Sequence, residues 1–195
     1  MSSRKDAHLE KREQFYTNGK LMRREFYRNG KLEGECKTWH KNGTSMIREF
    51  YKNGKLEGEY AAWYNNGQLE SRVSFRNGIS EGLCTFWWEN GHIWMKKYFV
   101  SGKLDGKLIS YDDVSPNRGK CIFYRNGIRE GEYRLWDLNA GIWSRQFFRN
   151  GILVDSQFTP KKRVFLLMQH RYARKSCIII NFLIPDLMAL CMKFV

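Results

Sequence analysis

The stretch FYRNGKLEGECKTWHKNG, residues 26–43, returns 24 residues later as FYKNGKLEGEYAAWYNNG, residues 50–67. Each copy contains two Asn-Gly dipeptides. The full series of Asn-Gly positions is 18–19, 29–30, 42–43, 53–54, 66–67, 77–78, 90–91, 126–127 and 150–151, with Ser101-Gly102 filling one slot. From Gly19 to Gly102 the glycines of this series are spaced alternately by 11 and 13 residues. A fixed period of this kind indicates a repeat architecture.

The segments between the Asn-Gly dipeptides are short and rich in aromatic and β-branched residues, as in 46–52 and 60–64. Asn-Gly readily adopts the positive φ angles of a tight hairpin turn, so each 24-residue unit is predicted to form two antiparallel strands. At roughly 4.8 Å per strand, about six units would extend for about 60 Å. The sequence therefore predicts an all-β repeat fold, an elongated and twisted antiparallel sheet.

Three columns of residues recur with the repeat and are predicted to be structural. The first is aromatic and comprises Phe15, Trp39, Trp63, Trp87, Tyr111 and Trp136. The second comprises Tyr27, Tyr51, Phe75, Phe99, Tyr124 and Phe148. The third comprises Gly34, Gly58, Gly82, Gly106 and Gly131, each preceded by an acidic residue. We expect the aromatic columns to stack into a continuous core and the glycines to occupy positions of positive φ or a bulge.

Residues 26–43 and 50–67 resemble the MORN-repeat family, and most closely its variant class with paired Asn-Gly turns. Proteins of that class occur among bacterial antitoxin-like proteins and repeat proteins of giant DNA viruses. The resemblance covers residues 13–158. It implies a sheet of successive hairpins and a role in protein interaction, scaffolding or membrane association rather than catalysis.

The two ends of the chain differ from the array. Residues 1–12 form a polar tail, residues 13–158 form the MORN-like array, and residues 159–195 form a basic segment predicted to be helical. The net charge of the chain is +14, and residues 161–195 hold seven Lys or Arg against one acidic residue. The spacing of Val164, Leu167, Met168 and Arg171 favours a helix. We expect a short α-helical cap over the last strand, with a partner-binding or membrane-surface segment as the alternative.

No catalytic or metal-binding constellation is recognisable in the sequence. The histidines are scattered, the five cysteines form no CxxC pair, and the only adjacent acids, Asp112 and Asp113, lie in an irregular turn. We therefore expect no enzymatic activity, no cofactor, no metal and no small-molecule substrate. Without an apolar leader, and with Asn181, Pro185 and Asp186 interrupting the apolar C-terminal stretch, the sequence predicts an intracellular, cytoplasmic protein that is neither secreted nor transmembrane.

Basic residues also follow the repeat and are the candidate binding residues. One column comprises Arg24, Arg48, Arg72, Lys96 and Arg145, and the tail adds Lys161, Lys162, Arg163, Arg171, Arg174 and Lys175. A parallel column comprises Arg28, Lys52, Arg76, Arg125 and Arg149. These columns are either a stripe that attracts a polyanion or an acidic protein, or a solvated surface neutralised by Glu25, Glu49 and the acidic residues that precede the glycine column. The sequence favours the second interpretation.

Three functional hypotheses follow. The leading one is a non-enzymatic scaffold that presents its repeating surface to a protein partner, in an oligomeric state that the sequence leaves open. The alternative is peripheral binding to acidic membrane lipid or nucleic acid through the basic columns and the basic tail. A third, neutralisation of a toxin, follows from the family resemblance alone.

Overall fold

The computed structural model describes residues 8–112 and 117–159. These residues form a single antiparallel sheet of 17 strands and contain no helix. Each long strand pairs with the long strands before and after it along the chain, so the sheet is a continuous meander. The predicted all-β antiparallel repeat is confirmed, whereas the predicted helical cap at 159–195 lies outside the described residues apart from the end of the last strand.

The strands follow in chain order. They are β1 (Glu10–Phe15), β2 (Leu21–Arg28), β3 (Lys31–Leu32), β4 (Gly34–Trp39), β5 (Ser45–Lys52), β6 (Lys55–Leu56), β7 (Gly58–Trp63), β8 (Leu69–Arg76) and β9 (Ile79–Ser80). They continue with β10 (Gly82–Trp87), β11 (Ile93–Val100), β12 (Lys103–Leu104), β13 (Gly106–Tyr111), β14 (Arg118–Arg125), β15 (Ile128–Asp137), β16 (Ile142–Arg149) and β17 (Ile152–Thr159). The first strand thus begins at Glu10, inside the segment 1–12 predicted to be a tail.

Two kinds of turn alternate along the sheet. In the tight turns both central residues have positive φ, as at Asn29 (51°) and Gly30 (72°). This is the mirror-image turn whose twist matches a hairpin. The first residues of these turns are Asn29, Asn53, Asn77, Ser101, Asn126 and Asn150. Hairpin formation at these positions is therefore as the sequence predicts.

The other four Asn-Gly dipeptides form wider turns in which only the glycine has positive φ, at Gly19, Gly43, Gly67 and Gly91. In these turns the asparagine side chain holds the loop. Asn42 Oδ1 accepts a hydrogen bond from the backbone N–H of Thr44 at 2.9 Å, and its Nδ2 donates to the carbonyl of Asn65 in the next repeat at 2.9 Å. The same dipeptide therefore serves two geometries, which the sequence pattern did not distinguish.

The glycine column interrupts every second strand of the repeat. Tyr27 of β2 pairs with Leu32 of β3, and Arg24 of β2 pairs with Lys37 of β4. An interval of three residues on β2 therefore lies opposite an interval of five residues on β3 and β4, which is an insertion of two residues. The extra length is accommodated at Gly34, whose φ is 87°, a value that disfavours any residue with a Cβ. Equivalent positive φ angles occur at Gly58, Gly82, Gly106 and Gly131, as predicted. Because the insertion is of two residues, the alternation of side chains between the two faces is preserved.

The fully buried residues are small, and the aromatic columns do not form the predicted stacked core. The buried apolar side chains are Cys36, Ala61, Ala62, Val73, Cys84, Ile109, Cys121 and Ile122. Phe15 is 57% exposed and the other members of the first aromatic column are half-buried. Members of one column lie two strands apart, roughly 10 Å, which exceeds the 4.5–7 Å of an aromatic contact. The prediction of continuous stacking was therefore wrong.

One pair in that column does make contact. The rings of Tyr111 and Trp136 meet edge to face with centroids 6.0 Å apart. The residue between them in the sheet is Gly119, which pairs with Tyr111 on one side and Trp136 on the other. A Cβ at Gly119 would lie 2.9 Å from the Trp136 ring and 2.3 Å from the carbonyl oxygen of Ser110. The missing side chain thus opens the space in which the two rings meet.

Candidate interaction surfaces

The strand register places the predicted basic column on one face of the sheet, here called the arginine face. Residues directly opposed on neighbouring strands point to the same face. Arg24 pairs with Lys37, and Lys37 pairs with Arg48. The line continues across the sheet through Ala61, Arg72, Thr85, Lys96, Ile109, Cys121, Arg134 and Arg145. We call the cations of this line, Arg24, Lys37, Arg48, Arg72, Lys96, Arg134 and Arg145, the central basic row.

Most of the central basic row is engaged in ion pairs on the arginine face. Arg24 Nε lies 2.7 Å from a carboxylate oxygen of Glu13, and Arg48 lies 2.5 Å from Glu59. Arg72 lies 3.3 Å from the other oxygen of Glu59. Farther along, Arg134 and Arg145 share the carboxylate of Glu132. Lys96 has no ion pair within the described part of the chain.

Aromatic side chains flank the central basic row. The guanidinium carbon of Arg24 lies 5.7 Å from the ring centroid of Trp39, and that of Arg48 lies 5.9 Å from Trp63. These are cation–π distances, worth about 0.5–1 kcal/mol at exposed sites. Trp39 and Trp63 therefore pack on cations of the central basic row.

The acidic residues expected to neutralise the basic columns have a different partner. Glu33 accepts a hydrogen bond from the backbone N–H of Asn53 in the next tight turn at 2.8 Å. The same bond recurs between Glu57 and Asn77, Glu81 and Ser101, Asp105 and Asn126, and Glu130 and Asn150. The prediction that the acidic residues before the glycine column pair with the basic columns was wrong. Each of these carboxylates instead accepts a backbone N–H that the tight turn of the next repeat leaves unbonded.

The edge of the arginine face that carries the tight turns has basic residues without ion pairs. Register places Arg28 opposite Lys31, and Lys52 opposite Lys55, directly beside successive turns. We call the full set the basic edge, comprising Arg28, Lys31, Lys52, Lys55, Arg76, Lys103, Arg125 and Arg149. All eight are exposed, and none forms an ion pair among residues 8–112 and 117–159. They outnumber the five acidic residues that bond to the turns.

Sequence reasoning found five of the eight residues of the basic edge. It recognised Arg28, Lys52, Arg76, Arg125 and Arg149 as a column but did not include Lys31, Lys55 and Lys103. Each of these three lysines lies across a tight turn from the residue three positions before it in the chain. That cross-strand pairing follows from the sequence only when the dipeptide of the turn is interpreted as a two-residue loop. That reading would have joined the two series.

Apolar residues occupy the remaining positions of the same edge. Ile79 pairs with Arg76, and Ile128 pairs with Arg125. The exposed fractions are 49% for Ile79, 42% for Val100, 50% for Ile128 and 68% for Ile152. The edge is thus entirely basic in its first two turns and mixed basic and apolar in the later ones.

The opposite face carries a polar cluster in the first two repeats. Cys36 lies opposite Glu49 on the neighbouring strand. Burial, reinforced by the charge of Glu49, raises the pKa of Cys36 to about 11, and the same two causes raise the pKa of Tyr51 to about 12. Glu25 is only 8% exposed and accepts hydrogen bonds from Arg23 and from the hydroxyl of Tyr27. A buried thiol that stays protonated is a poor nucleophile, so this cluster has a structural character.

Within the described residues there is no group of three or more His, Cys, Asp or Glu side chains arranged to hold a metal ion. Asp112 lies 3.5 Å from Arg118 across the irregular turn. The candidate residues of the tail, Lys161, Lys162, Arg163, Arg171, Arg174 and Lys175, lie outside the described residues. No helix in the described ranges is long and apolar enough to cross a bilayer.

The repeat that these surfaces share matches a known family, described as the MORN repeat variant. The match falls on four successive segments, residues 11–29, 32–53, 56–77 and 80–101. These are MORN-variant repeats. The tight turns at Asn126 and Asn150 continue the MORN-type geometry beyond the matched segments. No curated protein matches the chain.

Proposed function

We propose that this protein is a non-enzymatic interaction scaffold whose basic edge binds an acidic segment of a protein partner. MORN repeats are in general modules for interaction with proteins or membranes. The observation that carries the proposal is the basic edge itself, eight exposed cations with no ion-pair partner in the described chain.

The basic edge is a better docking surface than the central basic row. Binding an acidic partner at Arg48 or Arg72 requires competition with Glu59, which already holds both. At Arg28 or Lys52 no such bond has to be broken. The cations recur once per repeat, roughly every 10 Å, so an extended acidic segment meets several of them in succession.

Charge reversal tests the proposal against a matched control. The variant Arg28→Glu with Lys52→Glu reverses two cations of the basic edge. The control, Lys20→Glu with Lys41→Glu, makes the same change in net charge at the wide turns, which lie along the opposite edge of the sheet. Crosslinking in the native cell extract should recover a stoichiometric partner with the wild type and the control but not with the edge variant.

Equal recovery of that partner by both variants would rule out the basic edge as its binding site. Absence of any stoichiometric partner would contradict the scaffold role. Thermal unfolding of the three proteins checks that the variants remain folded.

Peripheral binding to an acidic membrane is the second candidate, and the apolar residues of the edge favour it. Exposed Ile128 and Ile152 lie beside Arg125 and Arg149, and a surface that mixes cations with exposed aliphatic side chains suits a lipid interface better than a nucleic acid. Binding to vesicles containing anionic lipid should fall steeply with salt and fall further in Ile128→Ser with Ile152→Ser. Binding to single-stranded RNA that equals vesicle binding, or vesicle binding that is insensitive to salt, would exclude this candidate.

A further inference from the structure

We infer that Asn29 is a site of spontaneous deamidation, and that the fold protects the other eight Asn-Gly dipeptides of the chain. The reaction starts when the backbone nitrogen of the following glycine attacks the side-chain amide carbon of asparagine. Asn-Gly is the dipeptide in which this attack meets least steric hindrance, because glycine has no side chain. A protein with nine such dipeptides therefore needs a structural account of which of them react.

The hydrogen bonding of the glycine N–H distinguishes Asn29-Gly30 from the other eight Asn-Gly dipeptides. In the wide turns this N–H donates to the carbonyl three residues earlier, for example from Gly43 to His40 at 2.9 Å. In the later tight turns it donates to the preceding repeat, for example from Gly54 to Leu32 at 2.8 Å. The other glycines bonded in these ways are Gly19, Gly67, Gly78, Gly91, Gly127 and Gly151. Among the described residues, only the Gly30 N–H of the nine has no acceptor.

The reason lies in the order of the repeats. Each tight turn leaves two backbone donors unbonded, and the preceding repeat supplies both acceptors. For the second turn these are the carboxylate of Glu33, which binds the N–H of Asn53, and the carbonyl of Leu32, which binds the N–H of Gly54. The turn at Asn29 follows β1 and β2, and no described strand precedes β1 to supply these two acceptors. Among the described residues, no atom lies within 4 Å of the position of a Cβ on Gly30.

The chemistry needs only water. The Gly30 nitrogen loses its proton and forms a bond to Cγ of Asn29, and the amide nitrogen leaves as ammonia. Water then opens the cyclic imide at either carbonyl, which gives aspartate or isoaspartate at position 29. The glycine nitrogen must be free of its hydrogen bond for the first step, and the turn must rotate away from its folded geometry. Both requirements are obstructed at the bonded turns and not at Asn29.

The product alters the start of the basic edge. A carboxylate at position 29 lies between Arg28 and Lys31 in the chain and adds one negative charge beside these two cations. The isoaspartate form also adds a methylene to the main chain of a two-residue turn. This inference is independent of the proposed binding function, since the reaction depends only on the folded turn.

Peptide mapping of the aged protein tests the inference, with the repeats as internal controls. The full chain is incubated at mildly alkaline pH and digested with a protease that leaves residues 28–31 in one peptide. Mass spectrometry then gives the rate of conversion at each Asn-Gly. Asn29 should react about tenfold or more faster than Asn53, the scale set by the loss of one or two hydrogen bonds. The two sites are closely matched locally, as Arg-Asn-Gly-Lys and Lys-Asn-Gly-Lys.

Two further measurements make the result decisive. In denaturant the nine rates should converge, and Glu33→Ala should accelerate reaction at Asn53 while leaving Asn77 unchanged, because Asn77 keeps its bond to Glu57. A rate at Asn29 no greater than at Asn53 in the folded protein overturns the inference. So does an excess at Asn29 that persists unchanged in denaturant, since the flanking residues rather than the fold would then be responsible.

Discussion

The carboxylate of Glu33 lies 2.8 Å from the backbone nitrogen of Asn53 and accepts its hydrogen bond. The two residues belong to consecutive repeats, and the bond satisfies a donor that a two-residue turn leaves free. Together with the bond from the Gly54 N–H to the Leu32 carbonyl, it fixes the tight turn at Asn53 to the repeat before it. The acidic residue before each column glycine is therefore a link between repeats.

Removing one such link should destabilise the sheet. Glu57→Ala deletes the acceptor for the Asn77 N–H and should lower the free energy of unfolding by about 1 kcal/mol. Glu57→Gln keeps an acceptor oxygen without its charge and should cost less. Denaturant unfolding measures both, with Glu70→Ala as control, since the exposed Glu70 makes no such bond in the described structure. Equal losses in Glu57→Ala and Glu70→Ala would contradict the linking role.

Gly119 should be the most restrictive glycine for steric reasons alone. Gly58→Ala strains a φ of 96° and should cost about 1–2 kcal/mol. Gly119→Ala places a Cβ against the Ser110 carbonyl and the Trp136 ring, and should cost about 2–3 kcal/mol. Denaturant unfolding compares the two.

A double-mutant cycle tests the cause of the Gly119 effect. If the added methyl separates the rings of Tyr111 and Trp136, Tyr111→Ala should cost less in the Gly119→Ala background than in the wild type. Additive effects would show that the ring contact does not depend on Gly119.

A further link between repeats runs along the wide-turn side of the sheet. The hydroxyl of Tyr64 donates to the carbonyl of Trp87 at 2.8 Å, and that of Tyr16 donates to Trp39 at 2.7 Å. Tyr64→Phe should therefore lower the free energy of unfolding by about 1 kcal/mol. Tyr98→Phe is the control, because Tyr98 is 44% exposed and its hydroxyl has no partner in the described structure. Identical unfolding curves for the two variants would refute the link.

Alkaline pH should destabilise the protein through the polar cluster of the first two repeats. Burial and Glu49 raise the pKa of Cys36 from 9.0 to about 11 and that of Tyr51 from 10.0 to about 12. Because the folded state keeps these protons longer than the unfolded chain, their stabilisation is complete below pH 9 and declines as the pH rises towards 12. Urea unfolding across this range measures the decline.

Variants assign the alkaline decline to individual groups. Tyr51→Phe should flatten the upper part of the slope and Cys36→Ala the lower part, whatever their effect at neutral pH. A slope that none of the buried substitutions changes would show that other groups titrate.

The candidate surface was only partly predictable from the sequence. The repeat places Arg24, Arg48 and Arg72 in register, but it does not show that Glu59 binds both Arg48 and Arg72. It also suggests that Glu33 faces a cation, whereas the backbone of Asn53 takes that carboxylate. Ion-pair partners depend on which strands adjoin and on the bulge between Leu32 and Lys37, and no single repeat contains that information.

The sequence by itself determined the period, the strand pairs, the turn positions and the glycines that require positive φ, because each follows from local backbone preferences repeated every 24 residues. Only the tertiary structure decided what lies between repeats. Aromatic residues of one column are two strands apart and do not stack, except where Gly119 lets Tyr111 and Trp136 meet. The first tight turn differs from the rest because no described strand before β1 supplies acceptors for its two free N–H groups. Closely similar local sequences thus acquire different environments from their place in the sheet, which is a property of the assembled array and not of the repeat.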